Sequence, residues 1–116
     1  MKIRSPLPTG ETTVVHVIAS IELHPGQRDA FLAVFAEFQP KVLAEPGCIE
    51  YGPTADAQCD IGRPLPYREN VVTLVERWES GDALRTHLQP ENMAPWKAAV
   101  KDLVAGVTLQ VLEPIV

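Results

Sequence analysis

This 116-residue chain has little cysteine, few aromatic residues and few positive charges. Its two cysteines, Cys48 and Cys59, stand eleven residues apart with no Cys-x-x-Cys pair and no His-rich neighbour. That spacing argues against a zinc site or a disulfide framework, and both thiols are expected to be free. Ten Lys and Arg face fifteen Asp and Glu, for a net charge of −5, and no two basic residues are adjacent. Nucleic acids and anionic membrane surfaces require clustered cations, so neither is an expected partner. No apolar run approaches the ~20 residues that a bilayer span needs. There is no phosphate-cradling glycine loop, no dinucleotide fingerprint and no internal repeat. The segment 1–10 carries Pro6 and Pro8 and no apolar stretch, so it does not read as a signal peptide. Residues 1–12 are expected to form a flexible arm, residues 13–116 a single cytoplasmic domain.

What is present is regular patterning. Val15, Val17, Ala19, Ile21 and Leu23 alternate along one face of a strand that His24-Pro25-Gly26 ends. Phe31, Val34, Phe35, Phe38 and Val42 then form a helical stripe. Pro40 is expected to kink that helix or split off its last turn, and Glu45-Pro46-Gly47 to stop it. A second strand is expected over Cys48–Pro53, an irregular loop over Asp56–Asn70 and a third strand over Val71–Glu79. Ser80 is placed to cap a short helix reaching about Leu88. Pro90 suits the first turn of another helix, with Met93, Trp96, Lys97, Val100 and Leu103 or Val104 as its stripe. Gly106 is expected to end that helix, leaving a fourth strand over Val107–Glu113.

The order β-α-β-β-α-α-β predicts an α+β domain of ferredoxin-like type, a four-stranded antiparallel sheet with its helices on one face. On the third strand, Val72 and Leu74 point one way while Val71, Thr73 and Val75 point the other. A strand apolar on both faces needs cover on both, and the helices supply only one. A second copy of the chain, sheet against sheet, is the economical cover, which makes a homodimeric α+β barrel the expected assembly.

Several strings occur in a distinctive order: Pro25-Gly26, Pro40-Lys41-Val42-Leu43-Ala44-Glu45, Pro46-Gly47-Cys48, Tyr51, Glu76-x-Trp78-Glu79-Ser80, His87-Leu88-Gln89 and Leu112-Glu113-Pro114. Over roughly Val14 to Pro114 they resemble the antibiotic-biosynthesis-monooxygenase family of small dimeric barrels, and its quinol-oxidising subgroup in particular. The resemblance implies oxidation of a small quinol or phenol by O₂ without metal or flavin, in a cleft between sheet and helices. The Trp that lines this cleft in aromatic-polyketide monooxygenases falls on Trp78. Two polar partners of that Trp fall on Leu74 and Leu84, so the polyketide pattern is incomplete. Haem-degrading relatives place an Asn, a Trp and an axial His at positions that hold Ala19, His87, and Trp96 or Lys97, so the haem ligand has no counterpart. Isomerases of the same barrel share a Glu on the third strand and a His on the next helix, matched by Glu76 and His87.

These residues define the expected site. His87 is the candidate general base, since an ordinary imidazole titrates near neutrality. Glu76, on the face of Leu74 and Trp78, is expected either to pair with a Lys or Arg from the helices or to act as a tuned carboxylate that orients His87 or the substrate. Tyr51 is the candidate hydrogen-bond donor to a quinol oxygen. Trp78, Trp96, Leu74, Leu84 and Met93 are the candidate walls. Packing alone could also account for both tryptophans, since each buries ~150–250 Å². Three readings follow: a cofactor-free quinol monooxygenase, an isomerase, and a dimer that binds a small ligand without turnover.

Overall fold

The computed structural model describes residues 13–62 and 65–116. The arm expected over 1–12 lies outside the described residues. The elements run β1 (Val15–Leu23), α1 (Arg28–Leu43), β2 (Cys48–Thr54), β3 (Val71–Trp78), α2 (Gly81–His87), α3 (Pro90–Val100) and β4 (Val104–Leu112). The strands form one sheet in the order β2-β3-β1-β4, with every neighbouring pair antiparallel. This is the ferredoxin-like α+β arrangement that the order of elements predicted.

Burial follows the alternation of the sequence. Val15, Val17, Ala19, Ile21 and Leu23 of β1 are buried on the helix side, opposite Trp78, Glu76, Leu74 and Val72 of β3. Phe31, Phe35 and Val42 carry the buried stripe of α1 onto this face. Fully burying each large side chain contributes about 1.5–3 kcal/mol, so the layer of β1, β3 and α1 dominates the stability of the fold. The opposite face of β3, with Val71, Thr73 and Val75, is only half-buried within one chain.

Of the expectations about the helices, the splitting of α1 at Pro40 and the stop of α3 at Gly106 need correction. α1 runs unbroken through Pro40 to Leu43. The proline sits in the last turn, and its own carbonyl accepts the Ala44 N–H at 3.1 Å, so the helix loses one bond without splitting. Gly106 does not end α3, which stops at Val100. Gly106 lies inside β4 opposite Glu22, next to a register shift in the β1–β4 ladder. The early turn leaves Val104 free to pair with Leu23.

Candidate active site

His87 is placed by a short, well-anchored helix. The Ser80 hydroxyl accepts the Ala83 N–H at 3.1 Å and starts α2. Leu84 and His87, three residues apart, then share its buried face. His87 Nδ1 lies 3.0 and 3.2 Å from the two carboxylate oxygens of Glu45. Facing an acceptor-only carboxylate, Nδ1 carries the proton, and the lone pair is left on Nε2. One face of the ring lies against Trp78, with centroids 4.6 Å apart, and Tyr51 meets it edge-on at 5.8 Å. The imidazole is therefore held on three sides.

Glu45 reaches His87 from the far end of α1, through the Pro46-Gly47 turn. Gly47 has φ +85°, and a Cβ there would sit 2.5 Å from the Ala83 Cβ. Only glycine lets the turn lie this close to α2. The Gly47 carbonyl also accepts the Glu79 N–H at 2.8 Å. Turn and helix are thus fastened together, and so are the two side chains they carry.

Glu76 does not pair with a Lys or Arg, and it does not bond His87. Its Oε1 accepts the Trp78 indole N–H at 3.0 Å. Burial raises its pKa above the ordinary carboxylate range; the Trp78 bond and nearby His87 pull the other way, and Glu45 adds to the rise. The expected cationic partner is missing because β1 and β3 present apolar side chains around this position. Tyr51 stacks on Phe35 at 5.2 Å. Burial first, then Glu76 and Glu45, pushes the Tyr51 hydroxyl up, so it remains a protonated donor. The Cys48 thiol is pushed up to about 11, by burial first and then by the same two carboxylates. It is therefore a poor nucleophile at neutral pH. Both cysteines are free thiols, as the spacing suggested.

A cleft of about 500 Å³ opens between the sheet and α3, and Glu76 and His87 both line it. Leu74, Met93 and Trp96 line it too, whereas Tyr51, Trp78 and Leu84 are buried behind it. Trp78 is wholly buried, and here it serves as a floor that fixes Glu76 and His87. Trp96 is a genuine wall, held edge-on by Phe31, Phe35 and Phe38 of α1 at 5.4 to 5.9 Å. Ten of the fourteen lining residues are apolar, so the cleft suits an apolar or aromatic guest. The residues that sequence reasoning did not single out for the site are Glu45, Lys97 and Lys101. Glu45 appeared in a helix stop and in one of the family strings, and Lys97 on a helical stripe and at a position without the haem ligand, neither with a role in the site. A wider trough of about 600 Å³ lies near Ser20, Glu22, Arg68 and Asn70, with no aromatic wall and no imidazole. Among the described residues no group of three or more His, Cys, Asp or Glu could hold a metal ion, and no helix is long and apolar enough to cross a membrane.

A ferredoxin-like α+β domain with a buried carboxylate and an oriented imidazole opening on an apolar cleft defines a class of small-molecule-binding protein. The chain belongs to the antibiotic biosynthesis monooxygenase family, whose sequence pattern matches residues 14–102. It is 37% identical over 100 residues to the "Probable quinol monooxygenase YgiN" of Escherichia coli (strain K12), covering 84% of this chain and 95% of that protein. Among solved structures it resembles Rv0793 from Mycobacterium tuberculosis, with a TM-score of 0.69 and 26% identity, over 90% of this chain and 97% of that one. PA3566 from Pseudomonas aeruginosa shares the fold with a TM-score of 0.72 at 21% identity, over 92% of this chain and 100% of that one.

Proposed function

We propose that this protein is a cofactor-independent monooxygenase that oxidises a small quinol or phenol with O₂, working as a homodimer. The observation that carries this reading is the Glu45–His87 pair beside Glu76 on an apolar cleft. A phenolic hydroxyl placed at His87 Nε2 gives up its proton to that nitrogen, and Glu45 offsets the charge the ring gains. The resulting phenolate is electron-rich enough to reduce O₂ directly. One oxygen atom becomes bonded to the ring and the other leaves as water, so a hydroquinone and O₂ give a hydroxyquinone and H₂O. Glu76, its pKa raised by burial, faces the cleft beside His87 and hydrogen-bonds the second substrate oxygen. Trp96, Met93 and Leu74 grip the ring, and Trp78, Leu84 and Tyr51 hold the catalytic side chains from behind. The similarity to a protein named as a probable quinol monooxygenase supports the same reading.

Glu76 and His87 on one cleft also suit an isomerase that moves a proton along a small diketone, and that reaction consumes no oxygen. The deciding experiment is oxygen uptake with a panel of hydroquinones and naphthols, on protein stripped of metal with a strong chelator. Uptake matched one-to-one by hydroxyquinone is expected. Binding without uptake would leave a ligand-binding protein or an isomerase, and loss of activity on chelation would overturn the cofactor-free mechanism.

A further inference from the structure

The polar side chains of the cleft are divided between its two ends. Glu76 sits at the level of Val17 on the neighbouring strand, with His87 above it. Val107, on the opposite wall, is at the level of Ile21, four residues or about 13 Å further along. α3 runs the same way, from Pro90, just after His87, to Val100, beside the start of β4. Its Lys97 and Lys101 are one turn apart on the cleft side, and Lys101 lies about 12 Å of helix beyond Met93. Between the two polar ends, every lining residue is apolar.

These two lysines are unlike the other cations of the described residues. Arg28 donates to Tyr67 and to backbone carbonyls of Arg68, Glu69 and Val71. Lys41 lies over the Phe38 ring. Arg68, Arg77 and Arg85 are paired with Asp56, Glu50 and Asp82. Among the described residues, Lys97 and Lys101 alone of the Lys and Arg have no ion pair, hydrogen bond or aromatic partner, and both, though exposed to solvent, line the cleft. In a chain with a net charge of −5, two unpaired lysines one turn apart on the border of an apolar cavity put positive charge where a ligand's negative group can meet it.

We infer that Lys97 and Lys101 are specificity residues that select an aromatic hydroxy acid, with its hydroxyl at His87 and a carboxylate on the remote end of its ring system. The inference rests on the proposed placement of a phenolic hydroxyl at His87 and adds the charge and orientation of the substrate. Two anchors at opposite ends admit one lengthwise pose and reject its reverse, which would set a carboxylate against Glu76. The spacing favours two fused rings over one.

The test is calorimetric binding of two probes, a naphthol and the hydroxynaphthoate that differs from it only by a carboxylate at the far end of the second ring. Neither binding experiment requires turnover. The acid is expected to bind roughly tenfold more tightly, in line with a charge-assisted contact. That ratio should fall as salt rises from ~0.1 M to ~1 M, where the screening length shrinks from about 10 to 3 Å. Replacing both lysines (Lys97→Met with Lys101→Met) should bring the ratio close to one, and Lys97→Arg with Lys101→Arg should restore it. Equal affinities for the two probes in the unaltered protein would overturn the lysine assignment and leave the quinol reading standing. Failure of both probes to bind would remove both.

Discussion

Glu45 stands 42 residues from His87 in the chain, and it is the partner that gives the imidazole a defined tautomer. If His87 accepts the phenolic proton, His87→Ala should lower kcat by ~10²–10⁴ at neutral pH. The deficit should narrow as pH approaches ~10, the ordinary phenol value, because solvent then supplies the phenolate. Glu45→Gln should cost less, about ten- to a hundredfold, since it exchanges a charge-assisted bond for a neutral one. Steady-state oxygen uptake across pH checks both; an unchanged kcat in His87→Ala would remove the imidazole from the chemistry. Glu76 offers a separate test through stability. Its raised pKa means that the folded protein holds this proton more tightly than the unfolded chain does. Stability from this group is therefore lost as pH rises from the ordinary carboxylate value, ~4.3, through the raised one. Glu76→Gln keeps an acceptor for the Trp78 indole and removes the charge. Its Tm should exceed that of the unaltered protein above this window and lose the advantage below it, which thermal melts between about pH 4 and pH 8 will show.

The joint between the Pro46-Gly47 turn and α2 is what brings those side chains together. Gly47→Ala forces a left-handed backbone on a residue with a Cβ and drives that carbon into Ala83. A loss of about 1–3 kcal/mol is expected, with activity falling further than stability because Glu45 is moved away from His87. Ser80→Ala removes only the cap of α2 and should cost about 1 kcal/mol. Urea melts and kcat measured on the same two variants separate the joint from the cap. Legibility of the sequence divides along this line. Local signals were sufficient for the strands, for Ser80 as a cap and for Pro90 as a first helical residue, because period, capping and proline geometry act within a few residues. Glu76 and His87 were visible as the only titratable groups at inward-facing positions of β3 and α2. The Glu45–His87 contact was not visible, because it depends on how a turn docks on a helix far along the chain. Lys97 was legible as a position on the stripe of α3 and Lys101 was not, and for both only the early end of α3 and the start of β4 at Val104 show that this edge borders a cavity. Gly106 misled for the same reason, since a glycine after a helical stripe reads as a stop wherever the true stop lies.

At the scale of the whole molecule, the face of the sheet away from the helices is left uncovered by the chain itself. Ile18 and Val75 are paired near its middle and Val71 stands at the start of β3, with Ser20 and Thr73 between them and Gln110 beside Ile18. An antiparallel sheet can keep one face in water when that face is polar, and this one is mixed. The exposed apolar residues of the edge strand β4, Val107, Leu109 and Val111, belong to the other face, where they pair with Ile21, Ala19 and Val17. Cover from a second copy, sheet against sheet, would take Ile18, Val71 and Val75 out of water together with the Ser20 and Thr73 hydroxyls that lie between them. We predict a homodimer at micromolar concentration, with more than ~1,000 Å² buried. Val75→Glu is the sharper probe. It leaves the helix-side core untouched, yet in a two-fold interface it would bring like charges toward each other from both copies. Sedimentation should show a dimer for the unaltered chain and a folded monomer for Val75→Glu. A wild-type monomer in that experiment would remove the barrel. A Val75→Glu protein that stays dimeric would move the interface from the open face to the exposed edge of β4.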